Sequence, residues 1–131
     1  PKTMQKAPQY GDVVNDVEAF FSCRMKRWTD WGMVLEQVVL DPGLGFGKTL
    51  EHNLALLVAL ERFTRMQRPL LVGASRKSFI GHVTKTEVND RLPGSLACAC
   101  RAAQAGVGIV RVHDVKETVQ ALQTWEAISK A

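Results

Sequence analysis

Polar side chains able to bind or transfer charge stand at the end of three short apolar runs in this sequence. They are Asp41 at the first run, Lys77 after the second, and Arg111 with His113 at the third. In parallel α/β folds the residues that follow the C-terminal ends of the strands meet at one rim, where ligands bind. We therefore expect these side chains to converge on one site.

The chemistry that fits them is the binding of a ligand with both a polar heterocycle and an anionic group. A carboxylate such as Asp41 can accept two hydrogen bonds from a guanidine-like N–C–N edge, while Lys77 can donate to a ring carbonyl or nitrogen. Arg111, His113 and a helix N-terminus beginning at Ser75 suit a phosphate. In a reaction that expels pyrophosphate, such cations would stabilise the leaving group.

Each of these residues alone also has a purely structural explanation. Asp41 precedes a Pro-Gly pair and can start a turn, while Ser75 and Asp114 can each cap a helix. Their coincidence on one rim favours a functional interpretation. Arg111 is the clearest case, because a charge near the end of an apolar strand is costly unless it is paired or reaches a ligand.

The glycine-rich segment 43–49 offers a competing interpretation. Its end, Gly47-Lys48-Thr49, resembles the end of a P-loop, which would indicate a nucleotide hydrolase or kinase. The spacing departs from that motif, because Pro42 occupies the position of the first glycine and Asp41 before it would repel a phosphate. The dinucleotide pattern G-x-G-x-x-G fails as well, so the P-loop is the less favoured alternative.

The elements that must position these residues alternate along the chain. Apolar residues three and four apart predict helices, and short β-branched runs predict buried strands. The prediction begins with a helix over 12–31, followed by a strand over 37–41 and a helix after Thr49. A second strand over 70–74 is followed by a helical turn capped by Ser75 and by a helix over 92–105. A third strand over 108–112 is followed by a last helix that ends near Ser129.

Details within these elements give further expectations. The strand over 37–41 should be buried on both faces. Asp114 with Glu117 resembles a capping box, and the small residues of the helix over 92–105 indicate close packing against another helix. The apolar stripe of the helix after Thr49 should consist of Leu54, Leu57, Val58 and Phe63.

Strands that alternate with helices indicate an α/β fold with a parallel sheet and right-handed crossovers, as in a barrel or a doubly wound fold. Three strands are too few to close a barrel, which needs eight and about 250 residues. We therefore expect residues 1–131 to be part of a single domain whose incomplete sheet depends on another half. The absence of an initiator methionine and of a signal-peptide core agrees with a piece of a longer protein.

Composition narrows the class of protein. A formal charge of +4, 46% hydrophobic and 23% charged residues are typical of a soluble globular domain. The basic residues form no run of the kind that binds nucleic acid, and no apolar run approaches the roughly 20 residues of a membrane span. Three cysteines without a CxxC pair are expected to be reduced and buried in a cytoplasmic protein: Cys23, Cys98 and Cys100.

With these residues in place, the sequence resembles the dihydropteroate synthases, (β/α)₈ barrels of bacterial folate biosynthesis. The resemblance covers the whole chain in the family's order, and its opening segment 1–5 resembles the loop after the family's fifth strand. It implies the C-terminal portion of the barrel, helix five and βα units six to eight. The motifs that carry it are DPGLGFGK at 41–48, LVGASRKS at 71–78, RLPGSLA at 91–97 and RVHDV at 111–115.

The resemblance also implies roles for individual residues. Asp41 and Lys77 would hold the pterin and act with Arg111 and His113 in catalysis, and Arg111 would cover the pterin face. The implied pterin and pyrophosphate site consists of Asp41, Gly73, Lys77, Arg111, Val112 and His113, and the implied p-aminobenzoate site of Phe46 and Ser78.

The implied reaction joins 6-hydroxymethyl-7,8-dihydropterin pyrophosphate to p-aminobenzoate, giving 7,8-dihydropteroate and pyrophosphate, and is inhibited by sulfonamides. Pyrophosphate would leave first, and the arylamine nitrogen would attack the resulting pterin cation. Mg²⁺ is implied too, but its asparagine ligand follows the family's first strand, outside this segment. The resemblance further implies a homodimer through the C-terminal helices, and we expect this polypeptide alone to be inactive or weak.

Two alternatives remain open. One is another pterin-binding barrel, such as a methyltetrahydrofolate methyltransferase, which shares the carboxylate but does not need the cations for pyrophosphate. The other is a non-catalytic fragment that only dimerises. The segments 75–77 and 111–114 favour the synthase.

Overall fold

The structure is a computed structural model that describes residues 10–131, so the resemblance noted for segment 1–5 lies outside the described residues. Two strands and six α-helices follow one another with two short 3₁₀ turns, at Leu35–Gln37 and Val88–Asp90. In chain order they are α1 (Val13–Asp30), α2 (Leu50–Val58), α3 (Leu60–Thr64), β1 (Leu71–Val72), α4 (Ser78–Thr84), α5 (Leu92–Gln104), β2 (Ile109–Val110) and α6 (Val115–Lys130).

The strands are parallel, as the alternating pattern predicts. β1 and β2 pair in a register that sets Leu71 opposite Ile109, and Leu40 forms a parallel bridge with Leu70 on the other side of β1. The backbone N–H of Leu71 donates to the carbonyl of Leu40 at 2.8 Å. Three segments therefore lie side by side in chain order, each followed by helix, which is the arrangement of successive βα units.

The expectation of a first strand over 37–41 buried on both faces is wrong. A 3₁₀ turn occupies Leu35–Gln37, and pairing is confined to a single bridge at Leu40. Val38 and Leu40 are buried, whereas Val39 between them is 46% exposed. This alternation is that of a half-covered strand, because only one face of the segment packs against the described helices.

Thr49 caps α2, as predicted. Its hydroxyl accepts the N–H of His52 at 3.2 Å, and the N–H of Thr49 donates to Nδ1 of His52 at 3.3 Å. This reciprocal pair is a capping box in which histidine takes the place of the usual glutamate. The helix that follows begins directly after the glycine-rich loop and fixes the end of that loop.

The predicted apolar stripe of this helix is only half right. Leu57 and Phe63 are buried, but Leu54 is 41% and Val58 is 73% exposed. The buried face instead contains Leu56 and Leu60. This leucine-rich segment has two possible apolar faces. Because the helix is interrupted at Ala59, between α2 and α3, the face that packs into the core is the one that includes Leu56, Leu60 and Phe63.

Ser75 does not cap a helix, contrary to expectation. α4 begins only at Ser78, with Lys77 in the N-cap position. The Ser75 hydroxyl instead lies 2.9 Å from Nδ1 of His113, beyond the end of β2. Ser75 therefore bonds His113, which follows the neighbouring strand, instead of a backbone N–H group of its own segment.

The predicted capping box of the last helix is also wrong. Asp114 occupies the N-cap position of α6 but makes no capping bond with its side chain. Its carboxylate pairs with the guanidinium of Arg76 at 2.5 and 3.0 Å. A charge-assisted bidentate bond of this kind is stronger than a bond to a neutral backbone N–H.

The core lies between the sheet and the helices that follow its strands. Phe63 is fully buried and meets Phe21 of α1 edge to face, with ring centroids 5.8 Å apart. Truncation of such a ring to alanine typically costs about 3–5 kcal/mol. The close packing predicted for α5 is confirmed by its contacts with α2, α4 and α6, and Ala99 and Ala102 of this helix are buried.

The three cysteines are free thiols. Cys98 is partly buried, and burial raises its pKa to about 11, so it is a poor nucleophile. The expectation that all three are buried is wrong, because Cys23 lies exposed on α1 and Cys98 and Cys100 are only partly buried. Among the described residues, no helix combines the length and the apolar character that crossing a membrane requires.

Candidate functional site

The three basic side chains predicted for the rim line one pocket at the carboxyl ends of the strands. Lys77 follows β1, while Arg111 and His113 follow β2. They surround a cavity of about 240 Å³ together with Gly73, Ser75 and Val112. The short strands β1 and β2 are paired in parallel, so the segments after them begin at the same edge of the sheet, and this brings the cations together.

Gly73 forms the floor of this pocket beneath the guanidinium of Arg111. A Cβ atom at position 73 would lie 3.0 Å from Nη2 and 3.2 Å from Nε of Arg111. Any larger residue would therefore push the guanidinium away from the strand. Because Gly73 has no side chain, the guanidinium of Arg111 can lie close to the strand backbone.

Ser75 joins the two loops that carry the cations. Its Oγ accepts the backbone N–H of His113 at 3.2 Å and lies 2.9 Å from the ring Nδ1 of the same residue. Ser75 is 6% exposed, so these bonds are shielded from water. One buried hydroxyl thus fixes both the backbone and the imidazole ring of His113.

Arg76 and Asp114 form a second link between the same two loops. The pair is bidentate, and hydrogen bonding from Arg76 lowers the pKa of Asp114 while that of Arg76 is raised. Both side chains therefore remain charged over a wide pH range. Two independent contacts between the loops hold the cations at a fixed separation.

Lys77 lies between this pocket and a second cavity. Its ammonium is 3.9 Å from the centroid of the Phe46 ring, a cation–π contact. Burial lowers the pKa of Lys77, Arg111 lowers it further, and Asp41 opposes both. Gly45 permits the approach, since a Cβ atom there would lie 2.8 Å from Cδ of Lys77.

Asp41 and Phe46 line the second cavity, of about 580 Å³, on the α1 side of the rim. The Asp41 carboxylate accepts the N–H of Gly43 at 2.8 Å, so it also fulfils the turn role considered as its structural explanation. Phe46 is 48% exposed. The structure therefore distributes the predicted site residues other than Ser78 over two neighbouring cavities, with Lys77 at their boundary.

Ser78, predicted to meet a carboxylate, is the first residue of α4 and is exposed. It follows Lys77 directly, so the position of both depends on the loop before α4.

The glycine-rich loop lacks the geometry of a P-loop, in which free backbone N–H groups surround a phosphate. The N–H of Gly43 and that of Gly45 donate to side chains of the protein itself. Lys48 donates to the carbonyls of Gly43 and Phe46, at 2.9 and 3.1 Å. Its ammonium is thus used to close its own loop, which argues against the nucleotide-binding alternative.

Sequence reasoning missed Asn53, Arg91 and Ser95. Asn53 is 2% exposed; it accepts the N–H of Gly45 at 2.7 Å and donates to the carbonyl of Thr49 at 2.6 Å, which fixes the loop that carries Phe46. A polar residue on the same helical face as Leu56 and Leu60 was the available signal. Arg91 and Ser95 lie in the segment 91–97 that carries part of the family resemblance, but no neighbouring residue in the sequence indicates which groups they bond.

Mg²⁺ has no evident site among residues 10–131. No three histidine, cysteine, aspartate or glutamate side chains come together there in a way that could hold a metal ion. The rim is dominated by cations, which disfavour a divalent metal, so no step of the chemistry is assigned to a metal within this segment.

Comparisons with known proteins bear on the same residues. The family model described as "Pterin binding enzyme" matches residues 1–113. The dihydropteroate synthase of Escherichia coli (strain K12) is 50% identical over 131 residues, which is all of this chain and 46% of that protein. The chain therefore spans about half the length of the curated relatives it matches.

Solved structures give the same result for the fold. The Yersinia pestis dihydropteroate synthase with a sulfonamide drug complex superposes with a TM-score of 0.92 at 44% identity, over 98% of this chain and 47% of that one. The dihydropteroate synthase from Xanthomonas albilineans in complex with 7,8-dihydropteroate gives a TM-score of 0.91 at 40% identity, over 97% of this chain and 49% of that one.

Proposed function

Because this chain belongs to the pterin-binding enzyme family, we propose that it is the C-terminal half of a dihydropteroate synthase, contributing βα units six to eight of a (β/α)₈ barrel. The complete enzyme would join 6-hydroxymethyl-7,8-dihydropterin pyrophosphate to p-aminobenzoate and release pyrophosphate. Identity of 50% with the Escherichia coli synthase along the whole chain supports this assignment. So does the 7,8-dihydropteroate bound in the similar Xanthomonas albilineans structure.

The observation that carries the proposal is the pocket in which Lys77, Arg111 and His113 meet above Gly73. Three nitrogen-bearing side chains with no carboxylate among the lining residues form an environment for a polyanion. A methyl transfer to or from a folate expels no pyrophosphate and needs no such cluster. The pocket therefore favours the synthase over a pterin-binding methyltransferase.

The cluster has a defined task in the reaction. When the C–O bond between the pterin methylene and pyrophosphate breaks, negative charge develops on the leaving oxygen and positive charge on the pterin. Arg111 and His113 would stabilise the leaving group from fixed positions, without reorganisation during the step. The arylamine nitrogen then forms the new C–N bond and loses a proton.

The second cavity suits the remaining parts of the substrates. Asp41 would accept hydrogen bonds from the amino-pyrimidine edge of the pterin, and Lys77, at the boundary, would donate to its carbonyl and ring nitrogen. For this the Lys77 ammonium would leave the face of Phe46, freeing that ring to pack on p-aminobenzoate. Ser78, the first residue of α4, would meet the carboxylate of p-aminobenzoate.

The remaining features of the proposal concern the assembly. Mg²⁺ would be bound by an asparagine outside this chain, and the protein would be cytoplasmic. A homodimer would form through α5 and α6, whose shared groove is apolar and includes Leu96, Trp125 and Ile128. Ala99 and Ala102 would not take part, because they are buried within this chain.

A chimaeric enzyme tests the proposal. This chain replaces the matching residues of the Escherichia coli synthase, and we call the product the chimaeric enzyme. It should release pyrophosphate from the pterin substrate only when p-aminobenzoate is present, and should support a strain that lacks its own synthase. The 131-residue polypeptide alone should show little or no turnover.

A substitution at the rim provides the control. Lys77→Ala in the chimaeric enzyme should reduce kcat/KM on the order of a hundredfold, as expected for loss of one preorganised donor. Lys116→Ala, on the exposed side of α6, should change it little. A folded chimaeric enzyme without turnover would reject the proposed activity and favour a fragment that only dimerises.

A further inference from the structure

Arg76 has an unusual backbone conformation at the entrance to the Lys77 loop. Its φ of 56° lies in the left-handed region, which residues other than glycine rarely adopt without support from their surroundings. Lys77 and Ser78 follow directly, so the direction in which they leave the strand depends on this one residue. The structure must therefore contain contacts that hold Arg76 in this conformation.

Those contacts come from the start of α5. The N–H of Arg76 donates to Oγ of Ser95 at 2.9 Å, and its carbonyl accepts from Nη1 of Arg91 at 3.1 Å. Ser95 in turn donates to the carbonyl of Arg91 at 2.8 Å and is 5% exposed. Both backbone polar groups of Arg76 are thus satisfied by one turn of a neighbouring helix.

Arg91 also holds the helix that Ser78 begins. Its Nε donates to the carbonyl of Thr86, beyond the end of α4, at 3.4 Å. Between its two carbonyl partners the guanidinium lies against Gly81 of α4, where a Cβ atom would come within 2.6 Å of it. One side chain therefore spans α4 from the residue before Lys77 to the turn after the helix.

We propose that Arg91 and Ser95 are positioning residues for the two substrates. They lie outside the rim pocket and hold Arg76 in its left-handed conformation, so that Lys77 is presented to the pterin and Ser78 to p-aminobenzoate. This inference rests on the function proposed above. Without the two contacts Arg76 relaxes towards right-handed backbone angles, and Lys77 and Ser78 move together.

The consequence is kinetic. A displacement of about 1 Å in a binding group can cost a hundredfold in rate, although the fold is intact. Loss of the Arg91 contact should therefore raise the KM for p-aminobenzoate and lower kcat, with the folded fraction unchanged. If Arg91 contributed only to stability, its substitution would change neither the KM for p-aminobenzoate nor the kcat of the folded enzyme.

The experiment compares three single variants of the chimaeric enzyme, and the double variant Arg91→Ala with Gly81→Ala, by steady-state kinetics and thermal unfolding. Arg91→Ala removes the contact, and Gly81→Ala displaces the guanidinium without removing it. Gly81 has no left-handed φ, and alanine is the better helix former, so Gly81→Ala should leave α4 folded. The matched control is Arg101→Ala, since Arg101 of α5 also bonds a carbonyl, that of Val58 at the end of α2, but lines neither rim cavity.

Arg91→Ala and Gly81→Ala should each lower kcat/KM for p-aminobenzoate by about tenfold to a hundredfold. The double variant should be no worse than Arg91→Ala, because both changes remove the same contact. Arg101→Ala should lower the Tm and leave the kinetic constants unchanged. If the Arg91→Ala enzyme fails to fold, the kinetic constants of the Gly81→Ala enzyme alone test the positioning role.

Unchanged constants in the Gly81→Ala enzyme would overturn the positioning role. So would an equal kinetic loss in the Arg101→Ala control, which would reduce the effect to general destabilisation. Failure of the proposed function has a different signature, because the chimaeric enzyme would then lack turnover before any substitution is made.

Discussion

Ser75 Oγ accepts the backbone N–H of His113 and lies 2.9 Å from Nδ1 of its ring. Among the contacts of Ser75 within residues 10–131, Nδ1 is the one acceptor for its hydroxyl proton, so we expect the hydroxyl to donate to that nitrogen when the ring is neutral. A neutral His113 then carries its own proton on Nε2, the ring nitrogen left to meet a ligand. In this tautomer the Nε2–H group of His113 can donate a hydrogen bond to an anion.

Ser75→Ala should abolish this selection of one tautomer. In the chimaeric enzyme at alkaline pH, nitrogen NMR of the His113 ring should show the Nε2-protonated form, and the variant should show a mixture of both. The free energy of unfolding should fall by about 1–3 kcal/mol, since the backbone N–H of His113 loses its partner. Detection of the Nδ1-protonated form in the unsubstituted enzyme would contradict the assignment of the donor.

In the chimaeric enzyme, Gly73→Ala should weaken the binding of pterin pyrophosphate, the substrate proposed above. The new methyl group would lie 3.0 Å from Arg111 Nη2, so the guanidinium must rise from the strand. We expect the KM for that substrate to increase on the order of tenfold, with the KM for p-aminobenzoate less affected. Gly108→Ala is the matched control, because nothing lies within 4 Å of its added Cβ. Equal effects at both positions would disprove the steric explanation.

The contact between Phe46 and Lys77 should be measurable as a coupling energy. A double-mutant cycle of Phe46→Leu and Lys77→Met in the unliganded chimaeric enzyme should give about 0.5–1 kcal/mol by chemical unfolding. A smaller value is expected for the control pair Phe20 and Arg24, whose separation is 5.1 Å on the exposed surface of α1. A value of zero for the first pair would show that Lys77 does not rest on the ring.

Stability in acid should depend on Glu61. Two hydrogen bonds from Arg101 lower the pKa of Glu61 from its ordinary 4.5 to about 2. A carboxyl with a lowered pKa stabilises the fold above its unfolded value, so this contribution is complete above pH 4.5 and is lost as the pH falls towards 2. Glu61→Gln should therefore flatten the dependence of the urea midpoint on pH in that interval. Glu36→Gln, at an exposed glutamate, should leave the slope unchanged.

Features fixed by neighbouring residues could be predicted from the sequence. The helix over 12–31 corresponds to α1, and Thr49 caps α2 through His52, three residues away. In both cases the partners lie within one turn, so spacing alone identifies them. The convergence of Lys77, Arg111 and His113 also followed from spacing, because parallel strands bring their carboxyl ends to one edge.

Contacts between distant segments could not be predicted in this way. Ser75 and Asp114 were both expected to cap helices, yet they bond His113 and Arg76, each across 38 residues. A hydroxyl or a carboxylate can satisfy either a local backbone N–H or a remote partner. The sequence contains no information on the distance to the remote one, which only the packed sheet brings within 3 Å.

Apart from the first predicted strand, which is only a single bridge at Leu40, the sequence by itself determined the order of helices and strands, the parallel pairing and the identity of the basic side chains at the rim. Each of these depends on residue type and local spacing. Only the tertiary structure decided which apolar stripe of α2 faces the core, and that Arg91 and Ser95 hold the backbone of Arg76. The reason is physical: one side chain can meet several competing demands, and the choice among them depends on atoms brought together by folding from separate parts of the chain.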